Sequence, residues 1–134
     1  MDWSRQTAPD TADLEAMARD AIATLPAPYR SAAAQIVFRI EDFAPEGIAA
    51  ELGAEDLFEL TGLYDGIPLT EKSVSDQPLS PDVIWLFRRP ILDEWCDRGD
   101  IALADLVAHV LVHELAHHFG WSDADIARID RWWE

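Results

Sequence analysis

His109, His113, His117 and His118 are the four histidines of the chain, and they fall within ten consecutive positions. Three of them lie in the run His113-Glu114-Leu115-Ala116-His117-His118-Phe119-Gly120-Trp121-Ser122-Asp123, which contains HExxH and extends as HExxHxxGxxD. On a helix, His113 and His117 stand one turn apart and point the same way, so their imidazoles can share one metal ion. Glu114, one residue along, can reach a metal-bound water instead of the metal. Hydrolysis at a zinc centre is the chemistry that these residue types at this spacing fit.

The element that must position them is a helix expected over residues 102–119. Leu103, Leu106, Val107, Val110 and Leu111 form its apolar stripe, and the same face continued leads to His113, Glu114, His117 and His118. Ionisable groups on a buried stripe are costly unless they are paired or bind a metal, and one ion would satisfy several at once. Gly120 is placed to end the helix in a left-handed conformation. Asp123 has two compatible readings. Ser122-Asp123-Ala124-Asp125 looks like the N-cap and acidic first turn of a last helix. A chain folding back after Gly120 would also let Asp123 supply a third ligand. Two imidazoles and one carboxylate leave a fourth position for water, as catalytic zinc sites do, although iron and manganese suit the same set. His109 and His117 are separated by a rise of about 12 Å, too far to share an ion with His113 between them. His109 is therefore expected on the surface or behind the ligands. His118, one turn after Glu114, either bonds that carboxylate or packs in the core.

Upstream, Leu14, Met17, Ala18, Ala21, Ile22 and Leu25 recur at helical spacing, and Pro26 and Pro28 stop that helix. Residues 35–43 read as a strand, with Ile36, Phe38 and Ile40 on one face and Arg39 and Glu41 on the other. Residues 45–60 are acidic and turn-rich, with room for short helical pieces. Residues 62–69 form a short strand or structured turn, 72–81 an exposed loop, and 83–87 a buried strand. A short helix is expected over 91–96 and a final one over 122–133. Residues 1–10 read as a loose arm in which Trp3 can dock, leaving one domain over 11–134.

Composition narrows the partners. Apolar residues make up 49% of the chain, enough for a core and too many for a disordered segment. A formal charge of −16 repels phosphate backbones and anionic bilayers, so neither nucleic acid nor membrane is an expected partner. The lone Cys96 excludes an intramolecular disulfide. The first ten residues lack the apolar core of a signal peptide, and no stretch reaches transmembrane length. A cytoplasmic protein is expected.

Three segments together resemble the small bacterial zincin-like family of predicted metallopeptidases, a minimal form of the zincin fold. They are Gly62-Leu63-Tyr64-Asp65-Gly66-Ile67-Pro68-Leu69, Pro81-Asp82-Val83-Ile84-Trp85-Leu86-Phe87-Arg88-Arg89-Pro90, and Val112-His113-Glu114 through Asp123. The resemblance implies one zinc ion per chain, held by His113, His117 and Asp123, with Glu114 as general base on a zinc-bound water. It implies an α/β (α+β) fold, a small mixed β-sheet from residues 35–43, 63–69 and 83–87 packed against the HExxH helix. It brings no known substrate. Both methionines, Met1 and Met17, lie far upstream, so no methionine turn is expected beneath the site, nor a C-terminal subdomain to close a cleft. Short or unfolded peptides are the expected substrates. The segment around Val83 to Arg88 is the expected edge strand for such a peptide. Tyr64, Arg88 and His118 are candidate donors to the carbonyl oxygen. Two non-enzymatic alternatives stand beside this reading. One is a metal-binding module without catalysis; the other is an acidic protein-interaction domain in which HExxH is incidental.

Overall fold

The structure, a computed structural model, describes residues 4–66 and 82–120. The expected loop over 72–81, the final helix over 122–133, Trp3 and Asp123 lie outside the described residues. The first helix, α1 (Thr11–Ala23), starts at a reciprocal cap: Asp10 accepts from the Asp13 amide at 2.8 Å, and Asp13 accepts from the Asp10 amide at 2.9 Å. Its apolar positions Leu14, Ala18 and Ala21 are buried. The helix stops before Pro26 as its sequence predicts, but a second short helix, α2 (Ala27–Ala33), starts directly afterwards. Proline suits the entry to a helix as well as its exit, so the same residues that end α1 permit α2.

Strand β1 (Val37–Glu41) turns Phe38 and Ile40 inward and leaves Val37, Arg39 and Glu41 exposed. The acidic stretch that follows holds α3 (Glu46–Glu51) and one 3-10 turn, Leu57–Glu59. Strands β2 (Gly62–Asp65) and β3 (Val83–Phe87) complete a three-stranded mixed sheet of order β1-β3-β2. β3 runs parallel to β1, from Val37 opposite Val83 to Glu41 opposite Phe87. It runs antiparallel to β2, with Gly62 opposite Leu86 and Asp65 opposite Val83. The expectation of β3 as an edge strand is therefore overturned. A continuous apolar run such as Val83-Ile84-Trp85-Leu86-Phe87 suits a strand flanked on both sides, and both its edges are occupied. The edges among the described residues are β1 and β2.

Helix α4 (Arg88–Arg98) follows β3 without a loop, starting earlier than its periodicity predicts, and Gly99 closes it in the left-handed conformation at φ 74°. The indole of Trp95 then donates to the Ile101 carbonyl at 2.8 Å, fixing the short turn into α5 (Leu103–Phe119). α5 packs against α1, α4 and the β2–β3 face of the sheet, and most of its residues are buried. Gly120 ends it at φ 71°, as its position predicts. None of the described helices is long and apolar enough to cross a membrane.

Candidate metal centre

α5 is buried on more sides than a single stripe would require, because Ala108, Val112, Leu115 and Ala116 are covered as well. The ionisable residues consequently divide between two environments. Glu114 and His118 face inward, whereas His113 is half-buried and His117 exposed. The single ionisable face expected from periodicity is thus two adjacent faces. Ligand atoms of His113, Glu114 and His117 all lie within 4.8 Å of one another, and the two imidazole rings are 5.0 Å apart at 78°. Donors around one zinc ion sit roughly 3.3 Å apart, the tetrahedral edge for bonds of ~2.0–2.1 Å, a separation of the same order. Beside His113 opens a cleft of about 180 Å³ lined by Thr61, Glu94, His109, Val110, His113 and Glu114. His109 thus lies along the approach to the pair.

Glu114 tests whether these residues fit a metal. It is 8% exposed, and no hydrogen-bond or ion-pair partner for its carboxylate occurs among the described residues. Burial alone pushes its pKa from the ordinary carboxylate range up to about 7. A buried carboxylate without a partner is costly, and it becomes useful where a proton must be taken up beside a cation. Strand β2 makes this environment. A β-carbon on Gly62 would stand 2.8 Å from Val110 Cγ1, 3.1 Å from Glu114 Cγ and 3.2 Å from the Trp85 carbonyl. Only glycine lets the strand approach the helix this closely at that point. The donor set and the desolvated carboxylate both fit zinc.

At the last turn of α5, His118 does not turn to Glu114. Its Nδ1 lies 3.0 Å from Asp82 Oδ2, and the Tyr64 hydroxyl donates to the same carboxylate oxygen at 2.9 Å while standing 3.1 Å from Nδ1. An ionised carboxylate can only accept, so the arrangement fits a proton on Nδ1. Burial, then the Asp82 hydrogen bond, raises the Tyr64 pKa. With its proton directed to Asp82, Tyr64 is not poised to donate to a substrate oxygen. Arg88 is engaged too, donating to the Pro9 carbonyl through Nε and to Asp42 at 3.2 Å through an amino group. Asp82 carries no motif and was not singled out by sequence. Its only signal is an acid at the mouth of an apolar strand.

The HExxH motif and the proximity of His113, Glu114 and His117 fit a zincin-type metal site. The sequence model of the zincin-like metallopeptidase family matches residues 33–133, most of the chain, and the chain belongs to that family. No curated protein matches it. The mixed α+β architecture, with its small sheet against the HExxH helix, agrees with that membership.

Proposed function

We propose that this zincin-like chain is a zinc-dependent peptidase acting on short or unfolded peptides, with one zinc ion held by His113, His117 and Asp123. The observation that carries the proposal is the desolvated Glu114, with no partner for its carboxylate among the described residues, beside the imidazoles of His113 and His117. Zinc bound there would lower the pKa of a water ligand toward neutrality and polarise a carbonyl. Glu114 takes the proton from the attacking water and returns it to the leaving amine. Its raised pKa suits both transfers near neutral pH. His113 and His117 act as neutral nitrogen ligands, and Asp123 is the third ligand by motif position.

The substrate-pairing role expected of β3 passes to β2. The Phe87 amide donates to the Thr61 carbonyl at 2.9 Å, so alternation directs the backbone groups of Gly62 and Tyr64 to the outer edge. A peptide added there would lie beside the cleft at His113 and Glu114. A peptide substrate without nucleic-acid or membrane partners, and a cytoplasmic location, complete the proposal; they rest on the −16 charge and the lone, free Cys96.

Elemental mass spectrometry of the parent and of His113→Ala, followed by a screen of unstructured peptides, tests it. Near one zinc per parent chain, lost in the variant, with cleavage abolished in a zinc-loaded Glu114→Gln variant, is the expected result. A zinc-loaded parent that cleaves none of the peptides leaves a metal-binding module without catalysis. A parent that takes up no zinc removes the metal reading altogether.

A further inference from the structure

Tyr64, Asp82 and His118 come from three separate elements: β2, the residue preceding β3, and the last turn of α5. The Asp82 and His118 side chains are only 9% and 7% exposed. Two close approaches hold them together. A β-carbon on Gly66 would fall 2.6 Å from Asp82 and 2.7 Å from the Tyr64 hydroxyl, and the Asp82 backbone carbonyl accepts from Val37 at 3.0 Å. The cluster therefore joins both sheet neighbours of β3 to the end of the histidine helix. It does so one residue beyond His117 and two before Gly120, where the chain leaves toward Asp123.

We propose that Asp82 is a positioning residue of the metal centre, acting through Tyr64 and His118 to fix the last turn of α5 and so the placement of His117. Apolar residues would pack the same space without the cost of desolvating a carboxylate, whereas a satisfied polar network admits one arrangement and fixes it. Tyr64 holds Asp82 from the sheet side, and Asp82 fixes both the tautomer and the ring orientation of His118. With His118 held, the helix turn carrying His117 cannot rotate or fray. Partners at one remove from a metal are commonly worth 10–100-fold in its affinity.

The inference rests on His117 as a ligand, and the test separates the two. Zinc affinity is measured by chelator competition on the full chain for the parent, Asp82→Ala, Asp82→Asn and Tyr64→Phe. Leu14→Ala, a buried α1 position outside the network, serves as the stability control. Tm is recorded for each, and affinity is measured well below the lowest. Asp82→Ala is expected to weaken zinc at least tenfold and Tyr64→Phe severalfold. Asp82→Asn, which keeps an acceptor, should recover most of the loss, and Leu14→Ala should change affinity less than twofold despite its lower Tm. Affinities within twofold of the parent in both Asp82→Ala and Tyr64→Phe overturn the positioning role. So does a loss in Leu14→Ala matching that in Asp82→Ala. A His117→Ala variant that binds zinc like the parent overturns the ligand reading beneath it.

Discussion

Gly62 and Glu114 meet across the β2–α5 interface so closely that a single methyl group on the glycine would stand 3.1 Å from the glutamate's Cγ. The pairing continues along both elements, since Tyr64, two residues on, meets His118, four residues on. Two strand residues advance about 6.8 Å and four helical residues about 6 Å, so the strand and helix stay in step over this length.

Gly62→Ala should therefore displace Glu114 or push β2 outward. Overpacking of this kind costs about 1–3 kcal/mol. A lowered Tm together with a loss of peptide cleavage is expected. An alanine variant with parental Tm and turnover would show that the interface gives way freely.

In the metal-free protein, Glu114 makes stability depend on pH. Its folded pKa, about 7, lies above the ordinary value of 4.5, so the folded state binds more protons between the two. Stability from this group consequently falls as pH rises from about 4.5 to about 7 and levels off above, by about 3 kcal/mol at most. Glu114→Gln should raise the Tm of the metal-free protein at pH 8 and leave it little changed at pH 4. Equal Tm differences at both pH values would mean that Glu114 is not desolvated.

Zinc should act as a stabiliser. At a free concentration one hundred times its Kd, a ligand that binds only the folded chain adds ~2.7 kcal/mol. Calorimetric Tm should rise with added zinc, fall back with chelator, and stay flat in His113→Ala. A rise of equal size in that variant would place the metal elsewhere.

Gly120→Ala puts a β-carbon on a residue at φ 71° and should cost about 1 kcal/mol. Because Asp123 lies three residues further on, weaker zinc binding should accompany the lower Tm. Unchanged zinc affinity would argue against Asp123 as a ligand.

Local signals were legible in the sequence, and contacts between distant segments were not. HExxH, the helix over 103–119 and its glycine stop follow from spacing and from glycine's freedom at positive φ. The core positions Leu14, Ala18 and Ala21 follow from helical periodicity, and Ile84 and Leu86 from an uninterrupted apolar run. What spacing could not reveal was strand order. An apolar pentapeptide such as Val83–Phe87 reads as buried whether its neighbours lie on one side or two, so its composition does not distinguish an edge strand from the central one it is. The partners of His118 were hidden for the same reason. Helical periodicity offers His118 either Glu114 or the core, whereas Asp82 and Tyr64 reach it only once the sheet is assembled.

The division of α5 into a water-facing side with His113 and His117 and an inward side with Glu114 and His118 separates what can be redesigned from what cannot. Under the proposed ligation, cysteine or aspartate in place of the exposed His117 would alter metal preference while the packed side of α5 persists. Glu114 and His118 are part of the packing as well as of the candidate site. An attempt to retune the Glu114 carboxylate must rebuild the wall around it, beginning at Gly62.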